Sequence, residues 1–426
     1  MGAEGPPPLW PDEVYEEAAP RIGRACFGLL FQEKHWIHRR VDRYSVLSPE
    51  LFHRYASVDF TVPELFRETL AIRDGQWLVP IAALPKEPLR NFDLRDETGR
   101  AIPVVGREHN APIAEHAIRA AASLTPEIAE TDDLPAELQA WISRISKQNT
   151  EDAEAALGEM LEAAAGDAAA ALIENPRAAL LLSDLTSRYL LLAVVDNVET
   201  RRVLKYRYEQ SLTWRAVARI PQRLGWEPLV IATEAPEASR AASYHAEIEI
   251  PEELRIDGSF IHDAKTPTIY AIDGEADRAA LHAPSVPIGS RPRLTFGVRL
   301  ERSGFPTVAM ATAWITALIL VLGACFGNLS TPAAPEAALS LLLAGSALFA
   351  GAVARSGEHE LVSAMFFLPR VLLVSNALVG LAAGAVLALG LSPSLIMATW
   401  HAAAVIASVT AGILSVTFYR AARPRR

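Results

Sequence analysis

The sequence predicts an α+β protein in two parts: a β-rich, sandwich-like cytosolic domain with a helical insert, followed by an all-α bundle of four transmembrane helices. Three observations predict it. Four uncharged apolar runs follow one another at 307–327, 337–354, 371–391 and 395–419. At about 1.5 Å of rise per residue, each covers most or all of a hydrocarbon core roughly 30 Å thick. The formal charge of −10 conceals a split: 303–426 carries six basic residues and three acids, while 1–302 carries a large acidic excess. Before the apolar runs, short stretches of alternating hydrophobicity recur between Pro- and Gly-containing breaks, the signature of a sandwich or open barrel.

Taken in order, residues 1–20 are rich in Pro, Gly and Glu and read as disordered. The first β-rich segment, 21–106, contains a long wet strand over 36–47, with Ile37, Arg39, Val41 and Arg43 on one side. A strictly alternating strand follows, with Val58, Phe60 and Val62 on one face, then an apolar strand over 76–84 marked by Pro80 as edge or bulge. Residues 91–94 and 101–105 flank Asp96-Glu97-Thr98-Gly99 as a hairpin.

A helical insert occupies 107–189. Leu138, Trp141, Ile142 and Ile145 are spaced i, i+3, i+4, i+7, Thr150 is placed to cap a second helix, and Asn175-Pro176 opens a third. The second β-rich segment, 190–302, alternates at 203–209, 243–250 and 293–300. It pairs best with 21–106 as one composite domain. Net acidity and alternating strands predict that a fragment ending near Ser303 folds without lipid.

The membrane part, 303–426, also has a predicted orientation. The two outer loops, 328–335 and 392–394, lack Lys and Arg. Arginines instead mark the approach (Arg291, Arg293, Arg299, Arg302), the middle loop (Arg355, Arg370) and the tail (Arg420, Arg423, Arg425, Arg426). The positive-inside rule then places both termini in the cytoplasm. The N-terminus has no basic n-region or apolar h-region, so the large domain is expected to stay cytosolic. Gly323/Gly327 and Gly380/Gly384 form small-residue faces suited to helix packing or homo-oligomerisation. The strongest polar residues within the spans are Asn376 and His401; interhelical hydrogen bonding for Asn376, and an interface anchor for His401 beside Trp400, are the readings favoured over a transport role.

Several function classes lose support. Two cysteines, Cys26 and Cys325, make neither a disulfide framework nor a structural zinc site. The acidic balance argues against nucleic acid as partner. No phosphate-binding loop, dinucleotide fingerprint, nucleophile elbow or zincin motif is present, and no cofactor is implied.

Three constellations remain. His245, Glu247 and Glu249 share one strand face as a weak metal candidate; a solvated face paired with Lys205 and Arg207 is favoured over it. Glu358, His359 and Glu360, with Arg370, form a charged loop suited to a polar turn or to docking under the domain. Arg39, Arg40, Arg43 and Arg54, with His35, His38 and His53 and nearby aromatics, form the densest basic patch of an acidic domain; a strand face balanced by Glu33, Asp42, Glu50 and Asp59 is favoured over a surface for anionic lipid or a partner.

Ser57-Val58-Asp59-Phe60, Ser243-Tyr244-His245-Ala246-Glu247-Ile248 with Pro251, and Gly357-Glu358-His359-Glu360 before Arg370 resemble integral membrane proteins of actinobacteria with a β-rich cytosolic N-terminal domain and no known activity. The resemblance implies a bacterial plasma membrane and the same two-part layout. The function expected is a non-enzymatic, inner-membrane-anchored protein whose cytosolic domain binds a ligand or a cytosolic protein. The alternative is a transporter or channel-like bundle regulated by that domain.

Overall fold

The computed structural model describes residues 10–48, 51–73, 75–124, 134–163, 167–211, 219–262, 270–271, 273–274, 277–283, 286, 292–326, 349, 351 and 359–421. It is α+β, with a strand-rich N-terminal region and, among the described residues, three helices long and apolar enough to cross a membrane. The strands are β1 (Ile37–Val46), β2 (Leu51–Phe60), β3 (Ala71–Arg73), β4 (Gln76–Pro85), β5 (Arg90–Arg95), β6 (Arg188–Val195), β7 (Arg202–Ser211), β8 (Leu229–Glu234), β9 (Tyr244–Glu249), β10 (Leu254–His262), β11 (Tyr270–Ala271), β12 (Asp273–Gly274), β13 (Arg278–Ala283) and β14 (Arg293–Leu300).

They form a seven-stranded sheet (β12-β13-β9-β1-β2-β7-β5), a four-stranded sheet (β11-β10-β14-β8) and a three-stranded sheet (β3-β4-β6). The large sheet therefore takes strands from both ends of the N-terminal region. Its pairings are antiparallel except β1 with β9, where Arg40 lies opposite Tyr244 and Tyr44 opposite Ile248.

One face of this sheet meets two different cores. At one end Ala56, Val58, Phe60, Leu204 and Tyr206 pack with β4, β6 and a helical layer. That layer comprises helices Asp12–Leu30, Arg107–Ala122, Ala136–Lys147, Thr150–Glu162 and Pro176–Ser187. At the other end Tyr44, Val46, Phe52, Ala246 and Ile248 pack against Leu229, Ile231, Ile256, Leu294 and Phe296 of the four-stranded sheet.

Two expectations at the N-terminal side need correction. Residues 12–20, read as disordered, belong to helix Asp12–Leu30, which buries Tyr15, Ala18, Ala19 and Ile22. Asp12 and Glu13 occupy the first turn, where the helix dipole favours them, and Gly23 permits close approach: a Cβ there would lie 2.6 Å from the Ile113 carbonyl oxygen. The cap of helix Thr150–Glu162 is Asn149, whose side chain accepts from the Asp152 N–H, rather than Thr150.

The apolar helices are Phe305–Phe326, Glu360–Ala388 and Pro393–Ala421. The expected span at 337–354 lies outside the described residues except for 349 and 351. Helix Glu360–Ala388 begins well before residue 371, the predicted start, and carries Pro369 inside it. A proline costs one backbone hydrogen bond, and tertiary packing offsets it here. Leu361, Val362, Met365 and Phe366 are buried in the same core as β8, β10 and β14. The first turns of this apolar helix thus complete the sheet domain's core, and the expectation that a fragment ending near Ser303 closes its own core is not supported.

Within the bundle, Trp400 is fully buried and donates from Nε1 to the Ala383 carbonyl at 3.0 Å. Its ring lies where a Cβ on Gly323 would be, 2.2 Å away. Trp400 is therefore a packing residue, not an interface anchor. Gly380 and Gly384 are also buried within the chain, so this small-residue face is used inside the bundle rather than offered to a second copy. Asn376 is 1% exposed, and its Oδ1 has no partner among the described residues. His401 lies exposed on the bundle surface, with Nδ1 2.8 Å from the Met397 carbonyl oxygen.

Candidate binding site

Between its two apolar cores the inner face of the large sheet carries charge. On β2, Arg54 separates Phe52 from Ala56; on β1, Arg40 and Asp42 precede Tyr44. The antiparallel register sets Tyr44 opposite Arg54 and Asp42 opposite Ala56. Asp42 is fully buried and accepts from Arg40 Nε at 3.0 Å, from Arg54 Nη2 at 2.6 Å and from the Tyr244 hydroxyl at 3.2 Å. Arg54 Nη2 also donates to Glu237 at 2.9 Å, and its Nη1 donates to the Tyr208 hydroxyl at 3.2 Å. Arg40 bonds the Tyr206 hydroxyl and lies over that ring. Glu237 comes from the short 3₁₀ turn Pro236–Ser239 between β8 and β9.

Two guanidinium groups thus face two carboxylates in a seam lined by Tyr44, Tyr206, Tyr208 and Tyr244. Burial works against every ion here, yet Arg54 and Arg40 hold the Glu237 carboxyl well below its usual range. Burial also raises the four tyrosines, which stay neutral hydroxyls. Such a network is stable only when its members are paired, because one unpaired buried ion costs several kcal/mol, on the order of 3–5.

A second ion set adjoins it. Arg240 bonds Asp184 and lies 3.5 Å from Glu33. Burial raises the Glu33 carboxyl to about 8 against the pull of Arg240, so it is largely protonated at neutral pH. Glu33, Lys34, Asp184 and Arg240 line a cavity of about 50 Å³, room for water rather than an organic ligand. Asp184 also lines a cleft of about 330 Å³ with Glu154, Arg188, Glu234 and the hydroxyls of Ser183 and Thr186. That volume falls in the small-molecule range. Its carboxylates are largely matched by arginines: Asp184 pairs with Arg240, and Glu234 with Arg188 and, at 4.0 Å, with Arg293.

The four arginines read as one basic patch are split by this arrangement. Arg40 and Arg54 point inward and are 2% and 4% exposed. Arg39 and Arg43 point outward, and Arg43 pairs with Glu247 at 3.0 Å. His53 sits 3.2 Å from Glu209, and His38 2.9 Å from the Thr61 hydroxyl. The four arginines therefore do not make a common lipid- or partner-binding surface.

The outer face around β9 also differs from expectation. Glu247 and Glu249 pair with Arg43 and Arg278, because β9 lies between β1 and β13, not beside the β7 residues Lys205 and Arg207. His245 stacks on His282 at 4.4 Å, and burial with Arg39 lowers its pKa. Among the described residues no three His, Cys, Asp or Glu side chains converge as a metal site.

Before helix Glu360–Ala388, His359 is the N-cap, accepting from the Leu361 N–H at 3.2 Å. Glu360 is in the first turn, and Arg370 lies over Phe305 and Phe366. Glu358 lies outside the described residues.

Asp184, Glu237 and Arg240 were not singled out from sequence, and Glu33 only as an acid balancing the arginines of β1 and β2. Glu33 and Asp184 come from two helices far apart in the chain, and Glu237 and Arg240 from the one segment between β8 and β9. The one local signal was Arg40-x-Asp42-x-Tyr44, a charge pair and an aromatic on a single strand face. No protein-family model matches the chain, and neither the curated proteins nor the solved structures contain a significant match to it.

Proposed function

We propose that this chain is a multi-pass plasma-membrane protein whose sheet domain faces the cytosol and acts as a non-enzymatic binding module coupled to the bundle. The observation that carries this reading is the shared core: Leu361, Val362, Met365 and Phe366, in the first two turns of an apolar helix, are buried against the four-stranded sheet. An anchor that only tethered the domain would need no such contact. With it, a ligand or cytosolic partner that shifts the sheet domain displaces the end of a membrane helix. The cleft around Asp184 supplies a place for a small ligand, and the seam ties it to both cores. Arginines at the domain-proximal ends of the apolar helices support the cytosolic orientation.

The test is hydrogen exchange on the full chain in lipid nanodiscs, comparing wild type with Phe366→Asp. Charge at that buried site should release protection in β8, β10 and β14 while the bundle stays membrane-inserted. Unchanged protection in those strands would overturn the coupling.

A second reading, a transporter or channel-like bundle, draws support from Asn376, whose buried Oδ1 has no partner among the described residues. Proteoliposomes holding the full chain should be no more permeable to small ions than empty ones; a conductance abolished by Asn376→Leu would establish this second reading instead.

A further inference from the structure

The segment 219–228 links β7 to β8 by way of the bundle. Its one turn of helix, Ile220–Arg223, packs against helix Glu360–Ala388. Thr417, near the end of the last apolar helix, donates to the Leu224 carbonyl at 2.8 Å and accepts from Trp226 Nε1 at 3.2 Å. Gly225 sits so close that a Cβ there would be 2.6 Å from Leu300 Cδ1. The segment is thus fixed at the level where the bundle meets the sheet domain.

Arg302 lies at the same level, 4.6 Å over the Phe418 ring, and Arg420 follows one turn after Thr417. Arg219 and Arg223 are exposed and, like Arg302 and Arg420, have no ion pair among the described residues. Elsewhere in this acidic domain arginines are commonly paired: Arg43, Arg201, Arg278 and Arg299 each bond a carboxylate. Between Arg219 and Arg223, the branched apolar side chain of Ile220 is 68% exposed. Glu227 is the nearest acid in sequence, and it is exposed on the far side of Trp226 in the chain.

Unpaired arginines, an exposed isoleucine and a half-buried tryptophan at the end of a set of apolar helices fit one environment, the headgroup layer of a bilayer. We infer that the segment 219–228 lies in the cytosolic headgroup layer, with Ile220 dipping toward the acyl chains and Arg219 and Arg223 binding the phosphates of anionic lipids. This rests on the membrane reading above and adds a lipid class to it. The basic patch that does meet lipid is this one, at the domain–bundle junction, not the one on β1 and β2.

The probe is lipid retention on the full chain after detergent extraction, read by native mass spectrometry from nanodiscs of phosphatidylglycerol and phosphatidylcholine in equal parts. Wild type should retain phosphatidylglycerol preferentially. At about fivefold per arginine, Arg219→Gln with Arg223→Gln should cut that preference roughly thirtyfold, and Arg219→Lys with Arg223→Lys should keep most of it. Equal retention of the two lipids by wild type, or a preference untouched by the double Gln change, would overturn the inference.

Depth gives a second readout that does not require the arginine variants to fold. A fluorophore on Ile220→Cys, in a Cys325→Ala background, should be quenched by lipids brominated high on the acyl chain, and no quenching would also overturn it. A chain that fails to enter the membrane fraction at all would instead sink the membrane reading itself.

Discussion

The two faces of the large sheet carry similar residues and treat them in opposite ways. Arg39 and Arg43 on the outer face, and Arg40 and Arg54 on the inner face, come from the same two strands. Outward, Arg43 meets Glu247 with both side chains about half exposed, at 54% and 41%. Water already solvates such a pair, so it contributes little, typically about 0–1 kcal/mol. Inward, Asp42 is 0% exposed and has two arginines and a tyrosine around it. The lesson is that the position of a charge matters less than what remains when its partner is removed. On the outer face water replaces the partner, and in the seam nothing does.

The strongest way to break this comparison is Asp42→Ala, which leaves Arg40 and Arg54 facing each other without water. The full chain in detergent should lose about 3–5 kcal/mol in chemical denaturation. A loss under about 1 kcal/mol would mean that the seam is wet and the two faces are equivalent.

Glu33→Gln sharpens it with pH. The folded Glu33 carboxyl is raised to about 8 from an ordinary 4.5, so the folded protein holds a proton that the unfolded chain releases. The stability tied to Glu33 is fully present below about pH 4.5 and is lost as pH climbs toward 8. The variant, neutral throughout, should match wild type at pH 5 and unfold at higher temperature than wild type at pH 8.5. Parallel stability curves from pH 5 to 8.5 would show that Glu33 is solvated.

The smallest effect belongs to Arg43→Gln, which should change stability by less than about 1 kcal/mol, less still in high salt. Together with Arg39→Gln it should leave lipid preference intact, in contrast to the pair at 219 and 223. A large loss from either change would restore the outer patch as a functional surface.

Much of the architecture was legible because periodicity carries it. The alternation in β1 separated Arg39, Val41 and Arg43 from Arg40, Asp42 and Tyr44, but Ile37, expected with the first set, is buried in the core, because a bulge between Ile37 and Arg39 shifts the register. The alternation did not say which set is inside, since both sets are charged and hydropathy ranks them alike. Burial was decided by partners the local sequence cannot name: Glu237 in a four-residue turn, and Tyr206 and Tyr208 on a strand distant in the chain. Run length located the apolar helices, but uncharged composition could not reveal that Glu360–Ala388 starts inside the sheet domain's core, where its first turns pack with β8 and β14. Trp400 read as an interface anchor because it stands beside His401. Helical periodicity puts those neighbours about 100° apart, one against Gly323 and one on the bundle surface.

The core shared between the four-stranded sheet and residues 361–366 also sets an order of events during synthesis. Strands β8, β10 and β14 leave the ribosome before the helix Phe305–Phe326, and residues 361–366 emerge only after it. Domains generally fold as they emerge, but this sheet can pair its strands and still present an open apolar face until helix Glu360–Ala388 arrives. On the membrane reading proposed above, insertion of the apolar helices comes before the core of the sheet domain is complete. A nascent chain arrested between these two helices would display that face to chaperones and proteases.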